Sequence, residues 1–373
     1  MEPFKAVFSS ALVDLIAGHL GRHCPGFDRA GFVHSIVSRL DGMELMERAR
    51  LIADALHAVL PRDPAIRADV LLALLHPDPL PDLVAPPTVD GLRGWAILPL
   101  TLLVGRHGIG DFDRSLMLLR EMTKRFSSEF AIRYFLIADQ NRTLATLAAW
   151  VHDPDRHVRR LVSEGTRSRL PWAMRLPAFM KYPGPVLPLL TALRDDPEDY
   201  VRRSVANNLN DISKDHPHRI ASLLGDWMVD ADRSRKALLR HAARSLIKAG
   251  NAEALAAFGH ASPQLAPARP QLSSPALRMG EVQTFSLALK SLASKPQSLV
   301  IDYVVHFRKA NGKLSPKVFK GGKVILNPGE AQLFQRKHHF RNVTTRRHYP
   351  GPHALSFRIN GQDTEAVGFE LLA

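Results

Sequence analysis

Apolar residues recur three and four positions apart through the first two-thirds of the chain. Across 8–21 they fall at Leu12, Ile16 and Leu20, and across 45–60 at Leu51, Ile52, Ala55, Leu56 and Val59. That spacing draws one apolar stripe along a helix of 3.6 residues per turn, so both segments are predicted to be amphipathic helices. Helix follows helix to about residue 260, punctuated by Pro and Gly without a long flexible linker. The rhythm changes near Ser262. The Pro- and Ala-rich stretch 262–270 reads as a linker. Beyond it, 282–289, 298–307, 323–325, 331–337 and 354–359 are short β-branched or alternating runs separated by Gly, Pro and Asn, the pattern of strands.

An internal repeat gives the helices an architecture. DPDRHVRRLV (153–162) aligns with DPEDYVRRSV (196–205) at an offset of 43 residues, within the period of HEAT-type helical pairs. A looser copy lies at 238–244, and an earlier unit is expected around 129–133. In each unit Asp-Pro is predicted to close the turn and start the second helix, with Pro at its first position. Val faces the core and Arg an adjacent helical face, so stacked repeats would carry an arginine ladder along one surface. The expected fold is therefore mostly α, a HEAT-like α-solenoid followed by a small all-β immunoglobulin-like sandwich. The division is expected at 1–260 for the helical domain, 261–271 for the linker and 272–373 for the sandwich. No Cys pair exists to bridge the two sheets, which excludes an antibody-type domain.

Charge narrows the class of partner. The 373 residues carry a net charge of +14, and 272–373 hold fifteen Lys and Arg against six Asp and Glu, so that module supplies +9 of it. An excess of this size draws polyanions by releasing counterions from phosphates, although a solubilising surface has the same composition. No stretch of eighteen or more uncharged apolar residues is present, so no membrane span is expected. The opening fourteen residues lack the pattern of a secretory signal. The single Cys24 reads as a packing residue and fits a reducing compartment.

Two strings look too specific for scaffolding: VRRLVSEGTRSRLPWA (158–173) and YVRRSVANNLNDISKDHP (200–217). Together with RFSSEFAIR (125–133) and the opening EPFK (2–5), they resemble signature stretches of the AlkC DNA glycosylases, HEAT-like relatives of AlkD. The resemblance runs through nearly all of the helical part, and an immunoglobulin-like C-terminal module is also a family feature. It implies an enzyme that hydrolyses the N-glycosidic bond of cationic alkylated bases in double-stranded DNA: 3-methyladenine, 3-methylcytosine or 1-methyladenine. It further implies action within the duplex, without the base flipping used by most glycosylases. No Schiff-base lysine motif is apparent, so a monofunctional enzyme is expected, without cofactor or metal, working as a monomer in the cytoplasm at the nucleoid.

The resemblance implies that Glu129, Glu164, Trp172 and Asp211 line the lesion pocket. The chemistry agrees. A base alkylated on a ring nitrogen is already a good leaving group, so the enzyme has to stabilise an oxocarbenium-like sugar and place a water. Carboxylates suit both tasks, and an aromatic face attracts a cation. Glu129 or Asp211 is the candidate to hold the water, with Trp172 against the sugar or base. Plainer roles exist for each. Glu164 is spaced to pair with Arg160 or Arg167, Glu129 with Arg133 in a helical i, i+4 pair, Trp172 to cover a gap between repeats, and Asp211 to cap a helix. Arg160, Arg167, Arg169, Arg203 and Lys214 are candidate phosphate contacts near the lesion. In the β-module the loop-like basic clusters at 317–323, at Arg336 and Lys337, and at Arg346 and Arg347 are expected to clamp the duplex. The segment 349–353 resembles the corner that begins a late sandwich strand. His216, His218, His338 and His339 are too isolated for a metal site, and 105–110 has the glycines but not the ending of a phosphate loop. Two other readings remain open: a non-catalytic HEAT-repeat protein that binds DNA structure, and a protein-binding scaffold.

Overall fold

The computed structural model describes residues 4–78, 85–341 and 347–373. Its helices are α1 (Ser10–His23), α2 (Arg29–Val37), α3 (Leu45–Val59), α4 (Pro64–Ala73), α5 (Ile97–His107), α6 (Phe112–Thr123), α7 (Ile132–Ala138) and α8 (Gln140–Trp150). They continue as α9 (Arg156–Gly165), α10 (Pro177–Lys181), α11 (Leu187–Leu193), α12 (Asp199–Ile212), α13 (Pro217–Met228), α14 (Arg233–Ala242), α15 (Arg244–Ala249) and α16 (Ala252–Ala257). The first predicted stripe is buried at Leu12, Ile16 and Leu20 of α1. In α3, Leu51, Ile52 and Leu56 are buried while Val59, at the end of the stripe, is exposed. The chain forms two compact units, one from α1–α12 and α14, the other from α13, α15, α16 and all the strands.

In the first unit each helix packs on near neighbours in sequence, and α12 lies between α9 and α14, the stacking expected of a helical solenoid. The repeat acts through its turns. Asp153 and Asp196 fold back to accept the backbone N–H of Asp155 and Glu198, both at 2.9 Å. Asp155, one residue past Pro154, is the N-cap of α9, its side chain accepting from His157 N at 2.7 Å. Pro154 therefore precedes the cap instead of opening the helix, because the Asp side chain satisfies the free N–H groups of the first turn. Arg159 donates to the carbonyls of Asp153 and Pro154 in its own turn and to Asp196 of the next at 2.6 Å. Arg120 meets Asp153 in the same way, also at 2.6 Å. This arm of the arginine ladder staples one repeat to the next.

In the second unit a three-stranded sheet has the order β1-β3-β6, from β1 (Gln271–Leu272), β3 (Val282–Lys290) and β6 (Ala331–His339). The larger sheet has the order β2-β9-β7-β4-β5, from β2 (Ala276–Arg278), β4 (Gln297–Arg308), β5 (Leu314–Leu326), β7 (Gly351–Ile359) and β9 (Val367–Leu372), with β8 (Gln362–Asp363) pairing β7. Alternate residues of β4 (Ile301, Tyr303, Val305 and Phe307) meet Phe285 and Leu287 of β3 and Phe357 of β7 in the core. Leu265 and Ala268, in the segment expected as a linker, pack against that core. The cluster 317–323, read as a loop, lies instead within strand β5, and Arg336 and Lys337 lie in β6, the strand expected over 331–337. In β5 Lys317, Lys320 and Lys323 are exposed with two partly buried residues between each pair, so the segment lacks the period-2 pattern that marks a strand in sequence. A register shift between Ile301 and Asp302 inserts Gly321 into β5 as a bulge, where a Cβ would sit 2.4 Å from Ile301 O. Lys320 then faces Asp302 and Lys323 faces Val300, so two lysines three residues apart share one face of the sheet.

Candidate active site

Glu129 sits in the turn before α7, Glu164 at the end of α9, Asp211 at the end of α12, and Trp172 in the segment after α9. Since α9 and α12 occupy successive repeats, their last turns lie side by side. Two arginines of the first repeat bridge the three carboxylates. Arg160 donates to Glu129 and lies 3.6 Å from Glu164. Arg167 donates through Nη1 to Glu164 Oε1 at 2.6 Å and through Nε to Asp211 Oδ2 at 2.8 Å. Lys214 ends the row on Asp211 Oδ1 at 2.8 Å. Acid and base alternate along the row.

The oxygens are unequally satisfied. Glu164 Oε1 faces the guanidiniums and its Oε2 accepts from Ser204 at 2.6 Å. Both oxygens of Asp211 are taken, by Arg167 and Lys214. Glu129 receives Ser127 and Arg160 on Oε2 alone, leaving Oε1 without a donor among the described residues. Its side chain retains 15% of its exposure, against 6% for Glu164 and 3% for Asp211. An oxygen that is reachable and unoccupied is where a water or a cationic sugar can be received.

Burial pushes the Glu164 carboxyl up, but Arg160 and Arg167 pull it further the other way, helped by the Ser204 hydroxyl, and it ends below the usual carboxylate range. Burial likewise lowers the Arg160 guanidinium while Glu129 and Glu164 raise it above the ordinary arginine value. Glu164 is therefore ionised at neutral pH despite its burial. The Arg160 guanidinium also lies 5.3 Å from the centre of the Tyr200 ring, whose hydroxyl is raised by burial.

The proposed helical pair between Glu129 and Arg133 does not form, because Glu129 precedes the helix and turns to Arg160. Arg133 turns inward to backbone carbonyls. Arg160 and Arg167, expected at phosphates, hold the carboxylates. Arg169 pairs with Asp215 at 2.7 Å, and Arg203 stands exposed on α12 with no ion pair among the described residues. Arg336 donates to Gly321 O at 2.7 Å, Lys337 is exposed, Arg347 lies 5.6 Å from the Tyr349 ring, and Arg346 lies outside the described residues. Trp172 is 64% exposed, with a backbone φ of +63°.

Ser204 was not anticipated, although the repeat carried its signal. It takes the place of Leu161 in the preceding copy, a polar residue where the pattern calls for an apolar one, and it is buried against Ser163 and Glu164. Among the described residues no group of three or more His, Cys, Asp or Glu converges as a metal site would. None of the described helices is long and apolar enough to cross a membrane.

Residues 266–373 match the family model described as the C-terminal Ig-like domain of the uncharacterised protein YhaZ. Over all of both chains the sequence is 33% identical to the uncharacterised protein YhaZ of Bacillus subtilis. The alkylpurine DNA glycosylase AlkC of Pseudomonas fluorescens, solved bound to DNA containing an abasic site analog, superposes with a TM-score of 0.81 and 37% identity, again over the whole of both chains. With likeness of that level extending over the whole of both chains, helical unit and sandwich alike, the chain belongs to the AlkC family.

Proposed function

We propose that this protein is a monofunctional DNA glycosylase that hydrolyses the N-glycosidic bond of cationic alkylated bases in double-stranded DNA, 3-methyladenine, 3-methylcytosine and 1-methyladenine among them. The observation that carries the reading is the one carboxylate oxygen of the row that no described protein donor takes, Glu129 Oε1, on the most exposed of its three carboxylates. A protein that merely held phosphates would have no use for buried carboxylates in a chain of charge +14. In the reaction, the bond from C1′ to the base nitrogen breaks and its electrons neutralise the departing base. Glu129 faces the oxocarbenium-like sugar and accepts a proton from the water that adds to C1′. Glu164 and Asp211 supply negative potential, Arg160 and Arg167 fix their geometry, and the Trp172 ring meets the cationic nucleoside. Arg203, Arg169 and Lys214 contact phosphates beside the lesion, and the basic strands of the 272–373 sandwich, beyond a helical domain ending near 260, clamp the duplex. The lesion is reached within the duplex, by a monomer acting at the nucleoid.

Incubation with methylated duplex DNA, followed by chromatography of the released bases, tests the reading beside Glu129→Gln, Trp172→Ala and Asp211→Asn. Base release that falls at least about 100-fold in Glu129→Gln supports it. DNA binding with no base release by the intact protein would make it a structure-specific binder, and no DNA binding at all a protein scaffold.

A further inference from the structure

Arg133 is buried to 0% exposure in the first turn of α7, yet it hydrogen-bonds no carboxylate among the described residues. Its guanidinium holds three backbone carbonyls instead: Met174 O through Nε at 2.7 Å, and Gly165 O and Arg167 O through Nη1 at 3.0 and 2.7 Å. Nη2 is buried with no hydrogen-bond partner among the described residues. Burial, and then the neighbouring Arg167, lower its pKa to about 10, which keeps the group protonated at neutral pH. Glu129, Asp211 and Glu164 lend the charge support through space, but every hydrogen bond it makes is to a backbone carbonyl, a costly way to fill a core. The three acceptors explain its presence, because they bracket the segment 165–174, and that segment carries both Arg167 and Trp172. The end of α9 comes close enough for this only because residue 165 is Gly, where a Cβ would stand 2.5 Å from Ile132 Cγ2. A fork of N–H donors can hold two points of one chain at a fixed distance, which an ammonium cannot.

We infer that Arg133 is a positioning residue: it fixes the backbone on which Arg167 spans two carboxylates and Trp172 stands exposed in a left-handed conformation. For its effect on base release, this inference rests on the glycosylase reading. Full-length Arg133→Lys and Arg133→Gln are compared with the parent protein in three measurements. These are single-turnover base release, affinity for methylated duplex, and acrylamide quenching of the Trp172 fluorescence, obtained by subtracting matched proteins carrying Trp172→Phe. Displacement of a positioned group by about 1 Å costs on the order of 100-fold in rate. The expected result is a loss of that order in base release, affinity within about threefold, and altered quenching of Trp172. Unchanged base release together with unchanged quenching would overturn the inference. So would loss of the helical circular dichroism in both variants, since Arg133 would then be a core residue alone. If the parent protein releases no base, the glycosylase reading fails while the quenching comparison still decides whether Arg133 positions Trp172.

Discussion

Arg167 and Asp211, 44 residues apart in the chain, meet at 2.8 Å, and the same guanidinium reaches Glu164 at 2.6 Å. One side chain thereby pairs with two carboxylates that retain only 6% and 3% of their exposure. Arg167→Met leaves both without that partner in a buried setting, for which the expected cost is about 3–5 kcal/mol. Urea denaturation followed by helical circular dichroism measures it. A loss below about 1 kcal/mol would mean that water already screens the row.

The depressed Glu164 pKa gives stability a defined pH dependence. A carboxyl lower in the folded state than its ordinary 4.5 binds fewer protons there than in the unfolded chain. Its contribution is therefore complete above about pH 4.5 and disappears as the pH falls through the lower folded value. Glu164→Gln lacks the contribution at every pH. The stability gap between parent and variant should be widest at neutral pH and narrow as the solution is acidified below 4.5. A gap that stays constant down to acid unfolding would remove the ionised Glu164 from the account.

Much of this was legible in the sequence for physical reasons. The 43-residue repeat announced the stacked helices because each copy must bury the same face, and the resemblance named Glu129, Glu164 and Asp211, which the fold brings into one row. What sequence spacing missed was the partner of each charge. Glu129 and Arg133 have the spacing of a helical pair, but Glu129 lies in the turn before the helix and bonds Arg160, while Arg133 bonds backbone carbonyls. Arg160 looked like a phosphate ligand, since a guanidinium suits carboxylate and phosphate alike and only the neighbouring repeat decides between them. The lysines of β5 hid a strand for the converse reason: an edge can carry charge on every exposed position.

The bulge at Gly321 puts Lys320 and Lys323 on one face, and both are exposed. If that face meets the DNA backbone, the double variant Lys320→Gln, Lys323→Gln removes two phosphate contacts. The slope of log affinity against log salt should then flatten by about 1.8, at 0.9 per contact. Affinity measured by fluorescence anisotropy across a salt series checks this. An unchanged slope would direct the clamp to other basic residues of the module.

Trp172 couples strain to function in a way that one substitution separates. Its φ of +63° lies in the left-handed region that penalises any side chain with a Cβ, while its ring is 64% exposed. Such a conformation costs about 1–3 kcal/mol and persists where the surrounding structure imposes it. Trp172→Ala removes the ring and keeps the strain; Trp172→Gly removes both. Both variants should lose base release to a similar extent, because the aromatic face is gone from each. In thermal unfolding, Trp172→Gly should be the more stable of the two by about 1 kcal/mol, although the freer glycine in the unfolded chain offsets part of the relief. If the glycine variant is the less stable, the segment 165–174 tolerates its conformation without strain. The carbonyl contacts of Arg133 would then follow the backbone instead of holding it.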